Sequence, residues 1–142
     1  MPAQDNAALA GELYERFNRG VLDQAAALAT DDVEVVLIPF GQTFHGRSGF
    51  HDFMSGFKTA FPDLTVTITN QVVTDDQVVN ECVWRGTHTG PLQSPAGEIP
   101  PTGKPVTGGR FCEVWEIQGG QIARLRNYQD VSTWLRQLGL VP

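Results

Sequence analysis

Arg110-Phe-Cys-Glu-Val-Trp-Glu-Ile117 runs into Gln118-Gly-Gly-Gln121, then into Ile122 through Tyr128, and a short amphipathic run ends at Leu135-Arg-Gln-Leu-Gly139. The order is strand, tight turn, strand, helix. Gly119-Gly120 supplies the positive φ angles that a two-residue hairpin turn needs. Asp130 stands where the second strand stops, which makes it a candidate N-cap for the helix, and Gly139 stops that helix. This hairpin reads as the middle of a curved antiparallel sheet, with the upstream chain laid against it.

Working outward, Asp5 or Asn6 can cap a first helix on which Leu9, Leu13 and Phe17 recur at four-residue spacing beside Tyr14. A shorter helix from about Leu22 to Ala29 follows, then a turn at Thr30-Asp31-Asp32. Val33 to Ile38 reads as a strand stopped by Pro39, with Glu34 at an edge or outward position. Phe40 to Gly46 is a loop and Ser48 a plausible cap. Phe50, Phe53, Met54, Phe57 and Phe61 then share one helical face, which ends at Pro62-Asp63. Such a stripe is core, and it can also wall a cavity. Leu64 to Thr69 alternates at period two, and Val78 to His88 makes the next strand. Thr89 to Val106 holds five prolines and reads as one long, partly stiff loop. Early helices followed by a run of antiparallel strands mean an α+β fold in one domain, residues 1–142.

The bulk numbers narrow the function. A net charge of −6 and only ten scattered Lys and Arg residues argue against nucleic acid and anionic membranes. No apolar run approaches the length of a membrane span, and Met1 to Asn6 does not read as a secretory signal, so a cytoplasmic location is expected. Cys82 and Cys112 are expected as free thiols. His45, His51 and His88 are too few and too dispersed to suggest a zinc site, and no nucleotide or flavin motif is present, so cofactor-free chemistry is expected.

Glu113 is the most informative residue. In a strand it shares one face with Phe111, Trp115 and Ile117, so that face is buried. A carboxylate there is costly unless paired or functional, and burial would raise its pKa toward the range of a general base. The competing explanation is a salt bridge to Arg110, Arg124 or Arg126. Asn127 can donate to a substrate oxygen. His88 can act as an acid or proton shuttle, or simply satisfy loop carbonyls. Asp130 is either a cap or a catalytic acid. Tyr14 can bring its hydroxyl to a ligand, with Phe17, Phe53, Phe57, Trp84, Phe111 and Trp115 as apolar walls.

Seven short stretches carry a resemblance: His45-Gly46-Arg47, Phe61-Pro62-Asp63-Leu64, Gly86-Thr87-His88-Thr89-Gly90, Pro101-Thr102-Gly103-Lys104, Glu113-Val-Trp115, Gly120-Gln-Ile122 and Leu135-Arg-Gln-Leu-Gly139. In this order the chain resembles the SnoaL-like polyketide cyclases, also called ester cyclases, of the nuclear-transport-factor-2-like (cystatin-like) superfamily. The resemblance implies a cone: a curved sheet wrapped around the N-terminal helices, enclosing a pocket. It implies acid–base chemistry on a small apolar, oxygen-bearing ligand such as a polyketide-like ketone or ester, and a homodimer packed by the convex face of the sheet. In the anthracycline cyclases of this family an aspartate on the last strand removes a proton next to a carbonyl. That position falls on Asn127, and the family's pocket histidine falls on Glu113. Both depart from the family pattern.

The expectation is cyclisation, isomerisation or dehydration. Glu113 is the base, His88 or Asp130 the acid partner, and Asn127 polarises a carbonyl. The alternatives are a ligand-binding or interaction module that has lost the catalyst, and an epoxide-type hydrolase in which a carboxylate activates water.

Overall fold

The computed structural model describes residues 2–142. Helices α1 (Ala3–Asn18) and α2 (Leu22–Ala26) precede strands β1 (Ala29–Leu37) and β2 (Gln42–His45), joined by a 3-10 turn at Ile38–Phe40. Helix α3 (Gly46–Ala60) leads into β3 (Thr65–Val73) and β4 (Gln77–Thr87). A small hairpin, β5 (Leu92–Ser94) and β6 (Gly97–Ile99), interrupts the path to β7 (Pro105–Gln118) and β8 (Gln121–Gln129), and α4 (Val131–Gln137) follows.

The six long and short strands of the main sheet lie in the order β2-β1-β8-β7-β4-β3. The hairpin quoted at the outset therefore does occupy the middle. Gly119 and Gly120 turn it at φ 56° and 76°, the left-handed conformation such a turn demands. All pairings are antiparallel except one: β1 runs parallel to β8. The N-terminal and C-terminal parts of the chain are thus stitched side by side.

The apolar stripes meet as their spacing requires. Leu13, Tyr14 and Phe17 of α1 and Phe50, Phe53 and Met54 of α3 are buried against Val35, Trp84, Trp115 and Leu125 of the sheet. Removing this apolar surface from water is the main favourable term in folding. Trp84 has one special need. A Cβ on Gly109, its pairing partner in β7, would lie 2.5 Å from the indole Nε1, so only glycine leaves room for the ring.

Several local expectations shift. Helix α1 starts at Ala3, before Asp5 and Asn6. Asn6 is fully buried and donates instead to the carbonyls of Thr74 and Asp75, both at 2.9 Å. Helix α2 ends early because Ala29 already pairs with Ile122, so Thr30-Asp31-Asp32 is extended strand where the β1–β8 register slips. Residues 42–45 form a strand on β1 where a loop was expected, and Ser48 lies inside α3, whose N-cap is His45. The proline-rich segment is not a plain loop, because Pro91, Pro95 and Pro100 fall outside β5 and β6 and leave those strands intact. Glu34 points outward, as expected, and pairs with Arg124 at 3.0 Å. Cys82 and Cys112 are free. Among the described residues no helix is long and apolar enough to cross a membrane.

Candidate active site

Alternation along β7 places Glu113 on the face it shares with Trp115 and Ile117, and the side chain is only 4% exposed. Directly across the ladder sits Asn127 of β8. Tyr14 arrives from α1, on the same helical stripe as Leu13 and Phe17. The three elements converge on one carboxylate. Tyr14 donates its hydroxyl to Oε1 at 2.5 Å, Trp115 donates Nε1 to the same oxygen at 3.2 Å, and Asn127 donates Nδ2 to Oε2 at 2.8 Å.

None of these partners is charged. The arginines considered as partners lie elsewhere: Arg124 pairs with Glu34 and Arg126 with Glu116. Burial pushes the Glu113 pKa up, and the hydrogen bonds from Tyr14, Asn127 and Trp115 pull against that rise. Burial also holds the Tyr14 phenol well above its ordinary range, helped by the Glu113 charge, so Tyr14 stays a donor. The Cys82 thiol is pushed up to about 12 by burial, with the nearby Glu113 charge adding to it, so it stays a protonated, unreactive group.

A cavity of about 540 Å³, its mouth included, opens beside this cluster. Tyr14, Phe17, Phe53, Phe57, Trp84 and Phe111 line it, as the sequence suggested. Its lining also includes Glu113, Asn127 and Gln129, of which Glu113 and Asn127 face each other across the ladder. This is the usual make-up of a small-molecule site: apolar walls with a few convergent polar groups.

Gln129 was not anticipated. Its Oε1 accepts from Trp134 Nε1 at 3.3 Å, which fixes the amide, and its Nε2 has no partner among the described residues. The signal was available, since Leu125, Asn127 and Gln129 alternate onto one face of β8.

Four sequence expectations are corrected. His88 is fully buried but does not line the cavity. Its Nδ1 accepts from the Thr102 backbone at 3.1 Å, and its ring packs on Phe61 at 5.3 Å, so it anchors the returning proline-rich segment. Burial lowers its pKa. The Gly90 backbone offers partial compensation, but Nε2 makes no hydrogen bond of good geometry. Asp130 is exposed and caps α4, accepting from the Thr133 backbone at 3.3 Å and its hydroxyl at 2.6 Å. Those hydrogen bonds lower its pKa, Thr133's hydroxyl contributing most. Trp115 is fully buried and lies behind Glu113 rather than at the cavity, where it packs on Tyr14 at 5.7 Å. Asn127 does reach the site, but its donor is spent on Glu113, which leaves Oδ1 as its unpartnered atom. Among the described residues no cluster of three or more His, Cys, Asp or Glu side chains is placed to hold a metal ion.

Three solved structures show how this architecture recurs. A SnoaL-like polyketide cyclase candidate from Jannaschia sp. CCS1 superposes with a TM-score of 0.86 at 19% identity, covering 100% of this chain and 97% of that one. IdmH, a candidate polyketide cyclase from Streptomyces antibioticus, gives 0.77 at 29% identity, over 94% of this chain and 98% of its own. AclR, a candidate hydroxylase from Streptomyces galilaeus, gives 0.83 at 21% identity, over 99% of both chains. No curated protein matches the sequence. The family model described as SnoaL-like polyketide cyclase matches residues 8–138. The chain belongs to the SnoaL-like polyketide cyclase family.

Proposed function

We propose that the chain is an enzyme that removes and returns a proton next to a carbonyl of a small apolar ketone or ester, with Glu113 as the base. One observation carries this reading. Glu113 is a buried carboxylate at the wall of an apolar cavity, and all its protein partners are neutral donors. A structural carboxylate at this depth would be matched by a cation, because an unpaired buried charge is costly.

The hydrogen bonds around Glu113 support one division of roles among the atoms. Oε1 already accepts two hydrogen bonds, so its lone pairs are engaged. Oε2 accepts one, from Asn127, and keeps a lone pair for the substrate. Oε2 takes the proton, and the C–H electron pair moves into an enolate whose oxygen gains the negative charge. Gln129 lines the same cavity and its Nε2 is free of other bonds, which supports it as the donor to that oxygen. The enolate then takes the proton back at another carbon, attacks a second carbonyl to close a ring, or expels a leaving group. Those outcomes are isomerisation, cyclisation and dehydration. The proton on Glu113 is returned at the end, and no electrons leave the substrate. Tyr14 and Trp115 are positioning residues that hold the carboxylate.

The test is hydrogen exchange. With 1-tetralone in D2O, the protein should speed deuterium incorporation at the carbon next to the carbonyl. Glu113→Gln should lose about 10²- to 10⁴-fold of that acceleration, the usual contribution of a general base. Exchange that is absent, or equal in both proteins, rejects the enzyme reading in favour of a binding module.

A further inference from the structure

Between β4 and β7, residues 89–104 leave the main sheet as an arm and return to it, and one residue holds both ends. His88 opens the arm. Its backbone N–H donates to the Lys104 carbonyl at 2.9 Å, and its carbonyl accepts from the Gly103 N–H at 2.8 Å. Its ring reaches 14 positions ahead, where Nδ1 accepts from the Thr102 N–H at 3.1 Å and stands 3.0 Å from the Thr102 hydroxyl. A backbone N–H can only donate, so Nδ1 is bare and the one ring proton sits on Nε2. The ring is therefore neutral as well as fully buried.

The arm bears on the cavity through α3. The N–H groups of Thr89 and Gly90 both donate to the Ala60 carbonyl at 3.1 Å, closing a helix end that has no partner of its own. Gly90 lies so close that a Cβ there would meet the Thr59 carbonyl oxygen at 1.9 Å. The His88 ring packs on Phe61, and Phe61 packs on Trp84 at 5.0 Å. Trp84, with Phe53 and Phe57 of α3, walls the cavity. The arm thus braces the aromatic side of the cavity.

We infer that His88 is an acid-loosened clasp: its neutral ring holds the arm against α3, and a second proton on that ring loosens residues 89–104. A proton added at Nδ1 turns the acceptor into a donor. The Thr102 hydroxyl can accept the new N–H, but the Thr102 backbone N–H then faces another donor and loses its bond. The charge finds no carboxylate to pair with on the surrounding elements. Asp63, after α3, gives its oxygens to Thr87 at 2.7 and 2.9 Å, and Glu98 of the arm accepts from Gln93 at 2.9 Å. Asp130 of the α4 cap is spent on Thr133. The nearby cations are occupied or outside: Lys58 and Arg136 bind the carbonyls of Leu64 and Pro142, Lys104 lies against Gly139, and Arg85 is exposed. Burial holds the ring's pKa below its ordinary value, with the Gly90 backbone pulling the other way. The loosened arm therefore takes the proton more readily than the clasped one. The clasp is at full strength above the ordinary histidine value and weakens as pH falls from there toward the lower clasped value. No step involves Glu113, so this inference stands apart from the proton-transfer reading.

The test is amide hydrogen exchange on the native protein, residue by residue, from about pH 8 to about pH 5, a span that brackets the ordinary histidine value. The His88 ring is titrated by its own carbon-bound proton signals, assigned against His88→Asn. Relative to intrinsic exchange rates, protection at Gly90, Thr102 and Gly103 should fall about tenfold as the ring takes its proton, the scale of one lost hydrogen bond. Protection at Leu125 and Asn127 in the β7–β8 ladder should hold. In His88→Asn, whose Oδ1 can accept near the Nδ1 position but takes no proton, the arm should show no such fall. Level arm protection while the ring titrates, an equal fall in the ladder, or the same fall in His88→Asn overturns the inference. So does a ring that takes no proton before the whole chain unfolds. If the asparagine variant does not fold, the contrast between arm and ladder in the native protein decides.

Discussion

The two faces of the β7–β8 ladder treat similar residues in opposite ways. On the inner face, Glu113 opposes Asn127 and is held by an amide, a phenol and an indole. On the outer face, Glu116 opposes Arg124 and binds Arg126 at 2.8 Å, while Arg124 reaches Glu34. Outside, the charges are paired and solvated, so each pair contributes little and loses more in salt. Inside, the carboxylate is desolvated and only partly compensated, so its proton affinity rises. The comparison teaches that the partner and the solvent, more than the glutamate, set the proton affinity of a carboxylate on this sheet.

The largest expected effect would come from exchanging the roles of the two faces. Glu113→Gln should remove about 10²- to 10⁴-fold of α-deuterium exchange, whereas Glu116→Gln should leave it unchanged. Equal losses would erase the contrast.

Next is Tyr14→Phe. Removing a buried hydrogen bond to a charged group should lower stability by about 1.5–3 kcal/mol, read from denaturant melts. The same change takes away the strongest of the hydrogen bonds that restrain the Glu113 pKa, so the acid limb of the exchange profile should move to higher pH. A stability loss with no movement of that limb would show that Tyr14 acts only in packing.

A third measurement follows stability against pH. The raised Glu113 pKa means that the folded protein holds this proton more tightly than the unfolded chain. Its favourable contribution is therefore present below the ordinary glutamate pKa and is lost as pH rises through the higher folded value. The melting temperature of the native protein relative to Glu113→Gln should accordingly fall across that window. A constant difference would place Glu113 in a water-like environment.

The smallest effect belongs outside. Arg124→Gln should cost roughly 0–1 kcal/mol and should matter less in high salt, as expected for half-exposed pairs.

Much of this was legible in the sequence, for reasons that differ by residue. The hairpin, the helix stripes and the inward turn of Glu113 follow from periodicity, which is a local property. Tyr14 was readable as a cavity residue from its place beside Leu13 and Phe17. The parallel β1–β8 pair was not, because nothing local distinguishes it from an antiparallel neighbour. His88 and Asp130 misled because residue type announces what a side chain can do, not which backbone group has claimed it. Thr102 claims one and Thr133 the other. The donor expected of Asn127 was likewise already taken, by Glu113. Gln129 lies on the same face of β8 as Leu125 and Asn127, but an amide carries no charge whose burial would mark it in the sequence. The departures from the family pattern also acquire a sense: Glu113 and Asn127 face each other across the ladder, and an amide at 127 can donate to that carboxylate where a second carboxylate would repel it.

The bond from Tyr14 to Glu113 joins residues 99 positions apart, and β1 finds its inner neighbour only in β8. During synthesis, then, the first helix and strand wait for nearly the whole chain before either can finish its contacts. Long-range pairings of this kind slow folding and leave strand edges open in the interval. The Glu113 carboxylate is buried by the same late event that closes the sheet. A nascent chain halted at Gly119 should therefore carry an open β1 edge and no ligand-binding cavity, which protease sensitivity and probe binding would reveal. Exposure to misfolding and acquisition of the site end at a single step.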